Sequence, residues 1–341
     1  SNLLYHFSER QLWLEKEFAN GKTSTKMFPS AFCSANKGLG GSCQLLKVTK
    51  NPDGYAINDK YKILHNKPFE VGKTLIYTIS EALQLPGDFV SSLNPFYHCS
   101  KSLTLLRQIN LLDFPINKKG YTVLLPCFDA WDFHDLNFDY LERNNTAIEL
   151  MMKNLILEGL MYTDSKSFQT KTTNLLQEEV LLSFEAENCG DEISLNLSTV
   201  DGSIQLEKNL DVLFKQGVIH PLLHSYFPRE LNITLMDLIE TTGTMAFIDF
   251  LNEFEDTSLI LRNNEQYSLL VPAKNTLSME GIDMNFTRLH DGLRLHVIPG
   301  YATNGLRECG NEQINTTSGE SLICRESSPG NYVLKLKNGN D

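Results

Sequence analysis

The stretch Tyr121 to Trp131, "YTVLLPCFDAW", reads as an apolar strand that ends in proline, and a close copy lies at Tyr267 to Leu277, "YSLLVPAKNTL". The two prolines, Pro126 and Pro272, are 146 residues apart (272 − 126), which is the length of a small domain. Because nearly every position of this strand is apolar, we expect both of its faces to be buried. Proline has no backbone N–H to continue a sheet, so we expect it to end the strand.

A second motif repeats with nearly the same period. Each copy is a short apolar strand followed by a segment that ends in proline: "TLIYTISEALQLP" from Thr74 to Pro86, and "GVIHPLLHSYFP" from Gly217 to Pro228. The final prolines are 142 residues apart (228 − 86).

A third motif, an apolar segment ahead of a long loop, occurs three times. The copies are "NLLYHF" from Asn2, "NLILEG" from Asn154 and "LRLHVIPG" from Leu293. His6 and His296 are 290 residues apart (296 − 6), close to twice the spacing of the first motif. The three motifs therefore predict one unit of about 145 residues that is written more than once.

The elements predicted between these motifs also recur. Apolar residues at helical spacing precede the proline-ended strand in both copies, namely Leu105, Leu106, Ile109 and Leu112 behind Ser102, and Phe247, Phe250, Leu251 and Phe254 behind Thr244. After the third motif, short β-type runs predict strands: "QLLKVTK", "VLLSFEAE", "SLNLSTV" and "NYVLKLKN". The predicted class is α+β, with a helical front half packed on a β-sandwich or wedge back half in each unit.

The composition argues against several classes of protein. With 30 Lys and Arg against 42 Asp and Glu, the 341-residue chain has a net charge of −12, so it should repel nucleic acid. No apolar run approaches the roughly 18 residues that cross a bilayer. The first residues, "SNLLYHFSER", lack an initiating Met and the order of a signal peptide. We expect a piece of a longer chain, with any membrane anchor outside it.

The seven cysteines form no C-x-x-C pair, so a zinc or thioredoxin-type site has no support. Two pairs are close enough in sequence to close small loops and are the predicted disulfides: Cys33 with Cys43, and Cys309 with Cys324. A pairing of Cys99 with Cys127 is a weaker prediction that leaves Cys189 unpaired. The alternative is that the cysteines are buried free thiols of a cytosolic protein.

Five N-x-Ser/Thr sequons, little more than chance supplies, are candidate glycosylation sites. They begin at Asn144, Asn196, Asn232, Asn285 and Asn315. Together with the cysteines they favour the secretory pathway, with the cell surface, the extracellular space or a vacuolar or lysosomal lumen as the destination.

The three motifs, in this order and at this spacing, resemble fasciclin domains across nearly the whole chain. "YTVLLPCFDAW" and "YSLLVPAKNTL" are similar to the first fasciclin signature, "LRLHVIPG" and "NLLYHF" to the second, and "GVIHPLLHSYFP" to the closing strand. The resemblance implies tandem fasciclin repeats, and their divergence is compatible with a fungal source.

This sequence departs from the family pattern at three places. Cys127 stands where the family usually has a hydroxyl residue, and Glu158-Gly159 is aligned with the His-Val of the second signature in the middle unit. Pro221 is expected to interrupt the closing strand. A ligand or partner learned from other members therefore transfers poorly to this chain.

The resemblance also implies the domain boundaries. Residues 1–86 are predicted to be the C-terminal half of one fasciclin-like domain, 87–228 a complete domain, and 229–341 a domain without its closing strand. The missing parts are disordered or cut away, or else the incomplete ends pair between domains or between chains.

Tyr5-His6 resembles the Tyr-His element that animal fasciclin proteins present to integrins, and it is the candidate interaction element. A structural role competes with it, because a His in an apolar segment is more often a core residue bonded to backbone groups. We expect the same of His296 and of His220.

No catalytic or metal site is predicted. The acidic segment from Asp129 to Glu142 is interrupted by aromatic residues and lacks the spacing of a calcium loop. The glycine-rich segment from Asn36 to Cys43 is not followed by Lys and reads as a loop closed by a disulfide. G-x-S-x-G and H-E-x-x-H are both absent from the sequence.

The predicted function is a non-enzymatic adhesion, scaffold or protein-interaction module without a cofactor, with protein or glycan partners. A membrane contact is expected only through an anchor outside this sequence. The alternative is a binding protein for a small or lipid-like ligand in a pocket between domains. An apolar cavity with converging polar groups would favour the alternative, and a solid core with a broad apolar surface would favour the module.

Overall fold

The computed structural model describes residues 2–8, 10–19, 24–33, 39–115, 119–132, 135–163, 168–189, 192–199, 202–207, 210–245, 247, 249, 267–272, 286–300, 313–328 and 331–337. The chain divides into two compact units, Ser1–Asn232 and Ile233–Asp341. Each unit contains helices and several small sheets, so the α+β prediction is confirmed.

The first 86 residues form an antiparallel sheet and a separate hairpin. The elements are a 3-10 turn (Asn2–His6), α1 (Leu14–Glu17), β1 (Ser24–Pro29), β2 (Leu45–Asn51), β3 (Gly54–Ile57), β4 (Tyr61–Lys62), β5 (Phe69–Val71) and β6 (Thr74–Ile76). The sheet has the order β1-β2-β3-β4, and β5 pairs with β6 in the hairpin. These residues have their own apolar core, which includes Tyr5, Phe18 and Phe28.

The following residues, up to Asn232, add helices and two four-stranded sheets around a second core. The elements are α2 (Phe89–Ser92), α3 (Ser100–Gln108), β7 (Tyr121–Pro126), α4 (Asp135–Arg143), α5 (Asn145–Asn154), β8 (Ile156–Glu158), β9 (Phe168–Thr173), β10 (Glu179–Cys189), β11 (Glu192–Thr199), β12 (Gly202–Leu206), β13 (Val212–Phe214) and β14 (Gly217–Leu222). One sheet has the order β12-β11-β10-β9, and the other has the order β13-β14-β7-β8.

The apolar strand β7 lies inside its sheet. It pairs in parallel with β14 on one edge and antiparallel with β8 on the other. All six of its residues are buried, as the sequence predicted, and Pro126 is its last residue.

Pro221 does not interrupt the closing strand, contrary to the prediction. β14 continues to Leu222 and remains paired with β7 there, with Pro221 opposite Leu125. On the other edge β13 pairs with β14 only as far as Ile219. Proline is tolerated because, at this position, only one edge of the strand is paired.

The helix α3 is fastened to the end of β7 by side chains. The Ser102 hydroxyl donates to the carbonyl oxygen of Pro126, and it accepts a hydrogen bond of 3.1 Å from Nε1 of Trp131. A disulfide joins Cys99 to Cys127. The predicted order of helix before strand is thus held by both hydrogen bonds and a covalent bond.

The second unit repeats part of this arrangement. Its described elements are α6 (Leu235–Thr242), β15 (Tyr267–Leu269), α7 (Phe286–Arg294), β16 (Val297–Pro299), β17 (Gln313–Asn315), β18 (Ser321–Ser328) and β19 (Asn331–Leu336). The predicted helix behind Thr244 lies largely outside the described residues.

The two copies of the first motif have the same surroundings. Tyr121 lies opposite Glu158 and Tyr267 lies opposite Pro299, each pair at the start of an antiparallel register of three residues. The hydroxyl groups that follow the two tyrosines donate to equivalent glycine carbonyls: Thr122 to Gly159 at 2.8 Å, and Ser268 to Gly300 at 3.0 Å. The repeat predicted around Pro126 and Pro272 is therefore present in the backbone pairing.

The third motif is also equivalent in its three copies, through one backbone hydrogen bond to the strand ahead of the loop. In the three copies, the backbone amide of Ala31 donates to the carbonyl of Phe7 (2.7 Å), that of Leu175 to Ile156 (3.0 Å), and that of Thr317 to Val297 (2.8 Å). The preceding residues, His6, Leu155 and His296, therefore occupy the same position. The alignment of Glu158 with the family histidine was wrong by three residues, because Leu155 takes that place.

A prediction concerns the close approach of β7 and β14. A Cβ atom at Gly217 would lie 1.9 Å from the carbonyl oxygen of Tyr121. Gly217→Ala should therefore force the parallel strands apart and lower the free energy of unfolding by about 3 kcal/mol, measured by urea denaturation.

Gly292→Ala is the matched control, since an added Cβ meets no atom within 4 Å there. In the helix α7 it should be neutral or stabilise the protein by about 0.5–1 kcal/mol. Equal effects of the two substitutions would contradict the close approach.

Candidate functional site

The predicted interaction element Tyr5-His6 is built into the fold. The Tyr5 ring is buried, and its hydroxyl donates to the Leu45 carbonyl at 2.9 Å and accepts from Nδ2 of Asn58 at 2.8 Å. Burial raises the pKa of Tyr5 above its usual range. Nε2 of His6 accepts a hydrogen bond of 2.9 Å from the Leu83 amide. Both residues therefore have structural roles, and a role in partner binding stays a prediction.

A buried ionisable pair lies next to β14. The side chains of His220 and Asp211 are almost completely buried. Nδ1 of His220 lies 3.4 Å from Oδ1 of Asp211, which is close enough for an ion pair, but the two atoms are not aligned for a hydrogen bond. Nε2 of His220 donates to the Met161 carbonyl at 2.9 Å, as expected of a core histidine. The Thr163 amide and hydroxyl both donate to the Asp211 carboxylate, at 2.9 and 2.7 Å.

The electrostatic interactions of this pair indicate that it stabilises the fold rather than takes part in catalysis. Burial opposes ionisation of Asp211, but the attraction of His220 and the hydrogen bonds from Thr163 outweigh it and lower the pKa of the carboxyl group. Both side chains are shielded from solvent, which favours a structural role for the pair. The sequence analysis did not identify Asp211, because its partner His220 is nine positions away, in β14.

A groove opens beside β6. It has a volume of about 500 Å³, and its lining includes Phe7, Ser8, Gln11, Leu75 and Ile76. Several large apolar side chains of this part of the chain are exposed, namely Leu3, Leu4, Phe7, Leu64, Phe69, Val71 and Ile76. We call the space between residues 7–8 and β6 the open groove.

A second space, a cleft of about 540 Å³, lies between the predicted domains 1–86 and 87–228. Its walls carry mostly polar and charged groups, among them Lys47, Asp59, Gln84, Ser92 and Asn94. Such a lining does not resemble the apolar pocket that a lipid-like ligand requires.

The candidate glycosylation sites differ in accessibility. Asn232 and Asn315 are exposed. Asn144 is partly buried and caps α5, with its Oδ1 accepting from the Ala147 amide at 3.1 Å and its Nδ2 donating to the Tyr140 hydroxyl at 2.9 Å. The side chain of Asn196 and the whole of Asn285 lie outside the described residues.

The cysteines are largely paired. Disulfides join Cys33 to Cys43 and Cys99 to Cys127, the first as predicted and the second being the weaker prediction. Cys324 is also disulfide-bonded, while its predicted partner Cys309 lies outside the described residues. The side chain of Cys189 is not among the described ones either. Disulfides of this kind are typical of proteins from oxidising compartments.

Within the described ranges, no group of three or more His, Cys, Asp and Glu side chains is arranged to hold a metal ion. In the same residues, no helix has the length and apolarity needed to span a membrane.

A prediction follows from the lowered pKa of Asp211. The ionised carboxylate stabilises the fold at pH values above its ordinary pKa of about 4, and this contribution is lost as the pH falls through the lower folded-state pKa. Asp211→Asn should therefore cost about 2 kcal/mol at pH 7. The difference from the natural chain should shrink in acid, measured by urea denaturation between pH 7 and pH 3.

Asp53→Asn, the same change at an exposed position, should leave the stability unchanged at every pH. A cost of Asp211→Asn that does not depend on pH would show that the charge of the carboxylate is unimportant.

Comparison with known proteins identifies a relative of this chain by sequence. No family model matches the chain. A FAS1 domain-containing protein of Saccharomyces cerevisiae is 45% identical over 341 residues, which are 98% of this chain and 39% of the length of that relative. This chain thus spans well under half of that relative.

Among solved structures, a FAS1 domain pair from the insect cell adhesion molecule fasciclin I matches with a TM-score of 0.29 and 15% identity. The match covers 70% of this chain and 85% of that one. On the strength of the sequence relationship, which extends over the three repeated motifs, the chain belongs to the fasciclin (FAS1) domain family.

Proposed function

We propose that this chain is a non-enzymatic interaction module of the secretory pathway, which acts in adhesion or as a scaffold at the cell surface, outside the cell, or in a vacuolar or lysosomal lumen. The observation that supports this proposal is the exposure of large apolar side chains in residues 2–86, two of which, Phe7 and Ile76, line the open groove. Grouped apolar side chains on a soluble protein commonly mark a surface for another protein. The enclosed Asp211–His220 pair points the same way.

The partners proposed are proteins or glycans. The net charge of −12 disfavours nucleic acid, and contact with a membrane would come through an anchor outside this sequence. The alternative, a small or lipid-like ligand, would bind in the cleft between the predicted domains 1–86 and 87–228. The polar walls of this cleft make it the weaker proposal.

The proposed secretory location predicts which asparagines carry glycans and that the chain contains disulfides. When the chain is expressed through the secretory pathway, endoglycosidase should reduce its mass, and Asn232→Gln and Asn315→Gln should each remove one glycan because both residues are exposed. Without reductant the protein should contain disulfides. Asn144→Gln is the comparison, since that side chain already caps a helix. A chain with neither glycan nor disulfide would contradict a secretory location.

The role in adhesion is tested with beads coated with the secreted chain. Coated beads should bind each other or a cell surface, and native mass spectrometry should show only polypeptide and glycan. A bound small molecule that is released on denaturation, together with beads that stay dispersed, would favour the ligand-binding alternative.

A further inference from the structure

The cleft of about 540 Å³ between the predicted domains 1–86 and 87–228 lies inside the first compact unit, and we call it the polar cleft. Its lining residues come from three stretches of the chain, within residues 47–61, 84–97 and 211–213. The volume is within the range of roughly 300–1,000 Å³ that small-molecule sites occupy.

One wall of the polar cleft contains the turn between β3 and β4. Asn58 and Asp59 in this turn both have left-handed backbone, with φ of 51° and 57°. Such a turn usually has glycine at the second of these positions, because glycine adopts this conformation without strain. Here the position is taken by Asp59, which lines the cleft. Strained backbone of this kind is often found where a side chain is needed for function.

The turn is held in one shape by its neighbours. Nδ2 of Asn58 donates to the Tyr5 hydroxyl at 2.8 Å, and Oδ1 of Asn58 accepts from the Lys47 amide at 3.0 Å. Asp59 accepts from Nζ of Lys47 at 2.7 Å and from the Thr49 hydroxyl at 3.1 Å. The Lys47 side chain is only 4% exposed, whereas that of Asp59 is 53% exposed. Because each carboxylate oxygen has two lone pairs, Asp59 is fixed in position and still able to accept from a ligand.

A second wall supplies hydrogen-bond donors. Oδ1 of Asn94 accepts from the Phe96 amide at 3.1 Å, which fixes this side chain. Asn94 and Gln84 are exposed and line the cleft. Within the described part of the chain, no hydrogen bond engages Nδ2 of Asn94 or the side-chain amide of Gln84. Both groups are therefore available to a ligand.

An aromatic ring lies beside these polar groups. Tyr97 lines the cleft, is partly buried, and packs against Phe128 with 5.5 Å between the ring centres. Burial raises the pKa of Tyr97, and the charge of Asp59 adds to this effect, so the two walls are close enough to interact.

The lining of the polar cleft has no net charge. Lys47 and Lys60 are the positive residues that line it, and Asp59 and Asp211 are the negative ones. The exposed members, Lys60 and Asp59, also include one of each sign. A phosphate or a metal ion would require an excess of one sign, and a lipid chain would require apolar walls.

We propose that the polar cleft binds a neutral oligosaccharide. Each sugar hydroxyl donates and accepts, so it is matched by a fixed acceptor such as Asp59 and by the amide donors of Asn94 and Gln84. The apolar C–H face of a sugar ring is suited to pack against an aromatic side chain such as Tyr97. This inference rests on the proposed function, because it names the class of glycan partner and the place where it binds.

The first test applies the labelled full chain to an array of neutral and acidic oligosaccharides. Neutral oligosaccharides should bind, and acidic ones should bind at least about tenfold more weakly, since the lining offers no excess of positive charge. Isothermal titration calorimetry then measures the affinity for the neutral oligosaccharide with the strongest signal. Binding of acidic oligosaccharides alone, or of none, would overturn the proposal.

Variants locate the site. Asn94→Asp keeps the acceptor for the Phe96 amide but removes the Nδ2 donor, and Gln84→Glu removes the equivalent donor. Each should weaken binding of that oligosaccharide about fivefold or more, the effect of losing one hydrogen bond. Asn51→Asp makes the same change at an exposed asparagine that does not line the cleft, so it should bind normally. Thermal melting monitors the fold of each variant. Equal affinities of all three variants would contradict this site.

A further measurement separates the glycan from a protein partner and from the adhesion role. Cells treated with periodate, which oxidises sugar diols, should no longer bind beads coated with the chain. Loss of bead binding after protease treatment alone would assign the contact to a protein and overturn this inference. Oligosaccharide binding by a chain whose beads stay dispersed would contradict only the adhesion role. Bead binding without any oligosaccharide binding would contradict only the polar cleft as a glycan site.

Discussion

The parallel pairing of β7 with β14 is the contact on which the described fold depends. It joins two stretches almost a hundred positions apart and places an entirely buried strand where both edges and both faces are covered. Gly217 allows the two backbones to approach, and Ser102 and the Cys99–Cys127 disulfide hold the helix α3 to the end of the same strand. A buried strand without a partner on either edge would leave backbone groups unsatisfied, so this pairing constrains what surrounds it.

The same constraint explains the difference between the repeated units. In residues 2–86 several large apolar side chains, among them Phe7 and Ile76, are exposed, whereas Ile156 and Ile219 in the middle of the chain are buried. Exposed apolar side chains and an incompletely paired strand are costly to leave unprotected in a soluble protein. The proposed interaction role rests on this surface, whereas the buried Asp211–His220 pair contributes to stability.

Much of the fold could be predicted from local patterns. The apolar run before Pro126 and the β-type runs after the third motif formed the expected strands, because hydrophobic periodicity and proline act within a few residues. The helix predicted behind Ser102 also formed, but it begins at Ser100 and ends at Gln108, so Ile109 and Leu112 lie outside it. Two other predictions were wrong. The place of the family histidine in the middle unit was assigned to Glu158 instead of Leu155, and Pro221 was expected to interrupt a strand that in fact continues through it.

By itself, the sequence determined the repeat, its period of about 145 residues, the α+β class and the resemblance to fasciclin domains, since these are properties of order and spacing along the chain. Only the tertiary structure decided that Asp211 meets His220, that Tyr5 is enclosed by Leu45 and Asn58, and that a groove lies beside β6. The reason is that burial and strand pairing bring together residues far apart in sequence, and a local pattern does not show which partners meet.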